Sequence, residues 1–255
     1  MTAAIVVDGL VKRYRGGDRN AVDGISFSVP RGAFFTLLGP NGAGKTTTLN
    51  ILTTILAPTA GSATVAGYDV RAAQSEVRRR IGIIFQTPCL DMNLTAEENV
   101  RLHAIMYGIY PYRPLYRLMA PEYRERVQEL ATLLGIAGDV FKPVRTFSGG
   151  MKRKLEIVRS LMHRPAVLFL DEPTSGLDPA SRRTLWQYLR GVREKSGTTL
   201  LLTTHYLEEA EDADAVCIID KGRIVAQGTP AQLKGDTGNA VKLEDAYLRI
   251  LEENQ

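Results

Sequence analysis

Two short stretches of this 255-residue chain combine residue types and spacings suited to phosphate chemistry. The run Gly39-Pro40-Asn41-Gly42-Ala43-Gly44-Lys45-Thr46 fits the pattern GxxxxGK[ST]. Glycines let backbone N–H groups close around an anion, and a helix starting at Lys45 would turn its positive end to the same anion. Lys45 would add a point charge at the β- and γ-phosphates, and the Thr46 hydroxyl could ligate Mg2+. The second stretch, Val167-Leu168-Phe169-Leu170-Asp171-Glu172, puts two carboxylates at the end of an apolar run. Asp171 is suited to hold Mg2+ through water, and Glu172 to polarise a water attacking the γ-phosphoryl group. Taken alone, such an acidic strand end reads as a solvated turn or helix cap. The phosphate loop upstream turns the reading toward chemistry.

Ser148-Gly149-Gly150 opens an amphipathic segment, so Ser148 reads as an N-cap and the glycines leave N–H groups open to an anion. Thr203-Thr204-His205 ends another apolar run and sets an imidazole beside the edge that carries the carboxylates. His103 and His163 fall in helical patterns and read as structural. Cys89 and Cys217 have neither CxxC nor Cys/His ligand spacing, which argues against a disulfide framework or structural zinc.

The elements that must position these groups follow from periodicity. Residues 33–38 form a short apolar run entering the glycine-rich loop, with a helix expected from Lys45. Residues 81–85, 167–170, 198–203 and 215–219 are likewise short and continuously apolar, as in strands covered on both faces of a largely parallel sheet. Residues 5–7, 21–29 and 62–66 alternate or shorten between Gly and Pro and predict a smaller antiparallel side sheet. Leu185, Tyr188, Leu189 and Val192 mark a helix expected to flank the main sheet. Helical patterns dominate residues 87–164, with Val127, Leu130, Leu133 and Leu134, then Met151, Leu155, Val158 and Met162 as apolar stripes. Residues 108–121 hold three Pro, three Tyr and two Arg and predict an exposed, ordered loop.

Composition narrows the class. Hydrophobic residues are 44% and charged residues 24%, ordinary for a globular protein. The formal charge of +4 suits an anionic ligand or a membrane surface and is too mild to signal nucleic acid. No apolar run approaches the ~18 residues of a membrane span, and Asp8 interrupts any signal-like core, so a membrane role is expected to be peripheral.

The order of motifs then resembles one family: residues 39–46, Gln86, Ser148-Gly149-Gly150, Asp171-Glu172, Ser175-Gly176-Leu177-Asp178 and His205 are similar to the ABC transporter ATPases over residues 6–227. The resemblance implies an α/β P-loop NTPase with a mainly parallel core sheet, an antiparallel β side sheet and a helical lobe. It implies ATP and Mg2+ as cofactors and Glu172 and His205 as catalytic residues. Tyr14 would stack on adenine, and Gly39, Pro40, Asn41, Gly42, Ala43, Gly44, Lys45, Thr46 and Thr47 would bind nucleotide. Thr46, Gln86 and Asp171 would attend the metal, with Gln86 also sensing a membrane partner. Relatives work as head-to-tail dimers, so Ser148, Gly149 and Gly150 would close on ATP held by a second subunit, and Asp178 would link the two sites. The usual family signature ends in glutamine where this chain has Met151. The wording of residues 147–155 and 203–210 looks most like ATPases of bacterial drug-resistance and lipid or polysaccharide exporters.

That likeness implies a separate multi-spanning permease, a second ATPase subunit, no nucleic acid, and a place on the cytoplasmic face of the cell membrane. The expected domains are an ATPase domain over 1–238, with its helical lobe at about 87–164, and a helical extension over 239–255, where Leu243, Ala246, Tyr247 and Ile250 share a face. Tyr110, Tyr112 and Tyr116 in the 108–121 loop are candidates for choosing the permease. A soluble ABC ATPase acting on ribosomes or DNA is the alternative, but such relatives usually carry tandem cassettes or a long coiled-coil insertion, and neither is visible in these 255 residues. A regulator unable to hydrolyse ATP would be expected to lack Glu172 or His205, and P-loop kinases lack the Ser-Gly-Gly motif.

Overall fold

The computed structural model describes residues 2–87, 89–236 and 242–254. In chain order the elements begin with β1 (Ala3–Lys12), β2 (Val22–Pro30), β3 (Phe34–Leu38), α1 (Lys45–Leu52), β4 (Ala60–Val65), β5 (Tyr68–Asp69), α2 (Gln74–Arg80) and β6 (Ile81–Ile84). Helices α3 (Ala96–Met106), α4 (Pro121–Leu133) and α5 (Gly149–Leu161) follow, then β7 (Val167–Asp171), α6 (Pro179–Ser196) and β8 (Thr199–Thr204). The chain closes with α7 (Leu207–Ala210), β9 (Ala215–Asp220), β10 (Arg223–Gly228), α8 (Pro230–Asp236) and α9 (Leu243–Glu253).

Two compact units emerge, one of Met1–Ile81, Ala166–Glu172 and Gly197–Gln255, the other of Gly82–Pro165 and Pro173–Ser196. The second unit therefore extends beyond residues 87–164 and takes in α6, whose stripe of Leu185, Tyr188, Leu189 and Val192 is buried as the spacing predicts. The expected boundary between 238 and 239 lies outside the described residues.

The larger sheet runs β10-β9-β3-β8-β7-β6. β3 pairs in parallel with both β8 and β9, and β7 with β8. Every residue of β3, β7 and β8 is buried, which explains their unbroken apolar runs. β10 is antiparallel to β9 and carries no fully buried residue, so it left no apolar signal in the sequence.

The smaller sheet runs β2-β1-β4-β5 and is antiparallel throughout. In β2 the residues Ile25, Phe27 and Val29 point inward between polar neighbours. β1 has ten residues, far more than the three its alternation suggests. The reason is an irregularity between Val7 and Leu10, where Gly9 takes φ +52° and the register shifts. The extra residue returns Leu10 to the buried face and breaks the period of two.

In the second unit, α3 starts with a full capping box: Thr95 accepts from the Glu98 amide, and the Glu98 carboxylate accepts from the Thr95 amide. α4 begins with Pro121 at its first turn and buries Tyr123, Val127 and Leu130, while Leu133 faces outward, against the expected stripe. The 108–121 loop is ordered but only partly exposed. Tyr110 and Tyr116 set their rings edge-on to Tyr123 at 5.3 and 6.2 Å, and the Arg113 carbonyl accepts from Arg101 at 3.0 Å. Tyr112 alone of the three loop tyrosines is largely exposed, at 64%.

α9 packs on α7, α8 and β10 of the first unit, burying Leu243, Ala246 and Ile250. Glu211 fastens it, accepting from the Leu243 amide at 3.0 Å and from Lys234 at 2.7 Å.

His163 lies in the turn after α5 rather than within a helix. His103 stacks on Tyr107 at 4.3 Å, and its ring centroid is 6.5 Å from that of His163. Burial, reinforced by the positive charge of Arg159 and by His163, pushes the His103 imidazole down to about 3. The unfolded chain binds that proton near pH 6.5 and the folded chain does not. Stability should therefore be intact above pH 6.5 and fall as the pH drops toward 3, by up to about 1.4 kcal/mol per unit. Thermal unfolding of His103→Phe across this range should lose that part of the slope; an unchanged slope would assign it to other groups.

Candidate functional site

The glycine-rich loop leaves the C-terminal end of β3, where open α/β sheets present their ligands. Its shape depends on two close approaches. A Cβ at Gly39 would sit 2.1 Å from the Ile219 carbonyl oxygen, and one at Gly44 2.5 Å from that of Ala21. Gly44 also takes φ +108°, a region disfavoured for side chains, directly before α1. Lys45 is buried, and its ammonium donates to the carbonyls of Gly39 at 2.7 Å and Pro40 at 3.0 Å. Burial lowers its pKa from the ordinary lysine value, while the negative charges of Glu172 and Asp171 act the other way.

Those carboxylates stand at the end of β7, with Asp171 the last residue of the strand. The Thr46 hydroxyl donates to Asp171 Oδ1 at 3.3 Å, so two of the three residues expected to attend the metal meet. Both are hard oxygen donors and fit Mg2+. Glu172 has φ +45°, rare for a residue with a side chain, and its amide donates to the Thr203 carbonyl at 3.0 Å. Glu172 Oε1 lies 3.1 Å from His205 Nδ1, which joins the two residues expected to act in catalysis.

Two supports escaped the sequence reading. Thr203, fully buried, donates its hydroxyl to Asp171 Oδ1 at 2.5 Å. Its neighbour Thr204 donates to the buried Glu209 at 2.6 Å and accepts from the Tyr206 amide, bracing the backbone around His205. Adjacent strand residues point to opposite faces, so one threonine steadies the aspartate and the other the histidine's backbone. The signal was present as two polar residues closing an apolar strand.

Tyr14 is 45% exposed, its hydroxyl hydrogen-bonds to Thr47 Oγ1 at 3.2 Å, and Lys12 Nζ lies 5.7 Å from its ring centre. An open aromatic face thus stands beside the phosphate loop. Gln86, Ser148, Gly149, Gly150 and Asp178 belong to the second unit. Gln86 is exposed in a bend after β6. Ser148 caps α5 by accepting from the Met151 amide at 3.2 Å, and Ser148 and Gly149 are exposed. The Asp178 carboxylate accepts from the amides of Ala180 and Ser181 and from the Ser181 hydroxyl, and the Ser181 hydroxyl bond leads the causes that lower its pKa.

The family profile for "ABC transporter" matches residues 22–175, more than half of the chain. The chain belongs to the ABC transporter family. Curated relatives of this ABC transporter ATPase include the daunorubicin/doxorubicin resistance ATP-binding protein DrrA of Streptomyces peucetius, 43% identical over 97% of this chain and 73% of that protein. Another is the Nod factor export ATP-binding protein I of Ralstonia nicotianae, 43% identical over 91% of this chain and 69% of that protein. An ATP-binding subunit of an ABC transporter superposes with a TM-score of 0.84 at 30% identity, covering 98% of this chain and all of that one. A dimeric ATP-binding cassette in a post-hydrolysis state, bound to ADP and Pi, superposes with a TM-score of 0.77 at 26% identity, covering 88% of this chain and 98% of that one. The fold expected from the motifs, a P-loop NTPase with mixed sheets and helices, is the fold these cassettes share. As a member of this family, the ABC transporter ATPase binds ATP and hydrolyses it. Among the described residues no helix is long and apolar enough to cross a membrane.

Proposed function

We propose that the protein powers export through a separate multi-spanning permease, working as a head-to-tail pair of ATPase subunits on the cytoplasmic face of the cell membrane. The observation that carries the hydrolytic part is the 3.1 Å contact between Glu172 and His205 at the end of the strand that also bears Asp171. The Glu172 carboxylate accepts the proton of the attacking water, and His205 holds that carboxylate and reaches toward the γ-phosphate. Lys45 leaves the carbonyls of Gly39 and Pro40 for the β- and γ-phosphates, helped by loop N–H groups at residues 39–47. Thr46 and Asp171 would hold Mg2+, with Gln86 as a further contact. Bound there, the ion would offset the negative charge of the phosphates. Tyr14 offers its open face to adenine.

Ser148, Gly149 and Gly150 present the start of α5 to ATP held by the second subunit, and Asp178 relays between the two sites. A short helical extension, which includes α9, follows the ATPase domain of residues 1–238. The permease is met by the second unit, where Met106, Tyr112, Leu115 and Leu118 are exposed. Of the three tyrosines in the 108–121 loop, Tyr112 takes part in this contact, since Tyr110 and Tyr116 lean on Tyr123.

The test is to express tagged Glu172→Gln in its native host, extract membranes in detergent with ATP, and identify the proteins that co-purify. A multi-spanning protein in stoichiometric amount is expected. Ribosomal or DNA-bound proteins without a membrane protein would move the chain to the soluble ABC ATPases.

A further inference from the structure

One face of α5 grips the backbone on both sides of Gln86. Ser160 donates to the Ile83 carbonyl at 2.8 Å, and Arg153 donates to that of Phe85. Beyond the glutamine, Glu156 Oε1 accepts from the Cys89 amide at 3.0 Å, and Arg159 donates to the Cys89 carbonyl. Arg153 and Glu156 form an ion pair of 2.9 Å, with side chains only 6% and 1% exposed. The Arg153 guanidinium also donates Nε to the carbonyl of Pro173, the residue directly after Glu172 in the chain, at 2.7 Å. A buried pair is weak evidence of stability, because apolar residues of the same volume often serve as well. This pair spends its hydrogen bonds on backbone groups flanking one exposed glutamine, which is the pattern of a positioning device.

We propose that the buried Arg153–Glu156 pair is the positioning element for Gln86, setting that glutamine relative to the helix that opens at Ser148-Gly149-Gly150. The proposal rests on the reading of Gln86 as a metal contact. A planar guanidinium reaches the Phe85 and Pro173 carbonyls and Glu156 at once, whereas a lysine ammonium cannot span the same fork. Glu156→Gln keeps an acceptor for the Cys89 amide but removes the charge that holds Arg153.

The experiment measures the Kd for ATP in EDTA and in Mg2+ and takes the ratio as the gain from the metal. It uses the full chain, with Arg153→Lys and Glu156→Gln as alternative variants so that a folding failure in one leaves the other. Binding in EDTA should match the unsubstituted protein, since the phosphate loop lies in the other unit. The gain from Mg2+ should fall roughly 10-fold in both variants. Gln86→Ala should show the same loss, and Gln86→Ala combined with Arg153→Lys should lose no more than either alone. Additive losses, or an unchanged gain in Arg153→Lys and Glu156→Gln, would overturn the positioning role. A silent Gln86→Ala would overturn the metal reading of Gln86 itself. A loss with Arg153→Lys beside a silent Gln86→Ala would show that the pair acts by another route and overturn the proposal.

Discussion

Replacing Glu172 by Gln is expected to lower steady-state ATP turnover by about 100- to 10,000-fold while ATP still binds. The carboxylate is held by His205 at 3.1 Å, and its backbone sits at φ +45° with its amide tied to the Thr203 carbonyl. Such a conformation is maintained against its own cost, so the direction of the side chain is fixed before substrate arrives. Glutamine has the same shape and can still meet His205, but it cannot take a proton from water. Removing one negative charge near Lys45 also leaves the phosphate loop no less attractive to ATP. Turnover measured beside equilibrium ATP binding checks the split. Equal losses in both would point to a collapsed loop, and unchanged turnover would remove Glu172 from the chemistry.

The second large effect is expected at Gly39. A methyl there meets the Ile219 carbonyl oxygen at 2.1 Å and the Ala43 side chain at 3.3 Å. Neither neighbour can yield cheaply, because β9 is held in parallel register with β3 at Leu38↔Ile218. The loop must shift instead, at a cost of about 1–3 kcal/mol. If that distortion falls on the bound state, ATP affinity in Gly39→Ala drops roughly 10- to 100-fold, since about 1.4 kcal/mol is tenfold. Gly42→Ala is the internal comparison. Its Cβ meets nothing within 4 Å, and only the left-handed φ of +81° resists it, so about 1 kcal/mol is expected. Calorimetric titration of both variants with ATP, beside thermal unfolding, separates them. Equal behaviour of the two would mean that the close approach to Ile219 is not what shapes the loop.

What could be read in the sequence, and what could not, follows from how each element is held. β3, β7 and β8 announce themselves because both faces are covered and most of their residues are apolar, broken only by threonines and the terminal Asp171. β10 is silent because it is an edge strand with no fully buried residue. β1 is cut short because the irregularity around Gly9 interrupts its alternation. At the site, Lys45, Thr46, Asp171, Glu172 and His205 stand out in the sequence because each closes or follows a short apolar run, and the structure brings Thr46 to Asp171 and Glu172 to His205. The supporting roles of Thr203 and Thr204 were marked only by two polar residues closing an apolar strand, and that of Glu209 by nothing until its partner is known. The ties of Arg153 and Glu156 to Phe85, Cys89 and Pro173 were hidden for a similar reason. Their partners are backbone groups up to 68 residues away, and backbone carries no letter.

The claim that joins the phosphate loop, Glu172 and the Ser148-Gly149-Gly150 helix start is that ATP closes two copies on one another and hydrolysis releases them. Sedimentation of purified Glu172→Gln with and without Mg2+-ATP tests this most directly. The account predicts monomers without nucleotide and a stable dimer with one ATP per chain when nucleotide is present. A variant that binds ATP fully and still sediments as a monomer would contradict it.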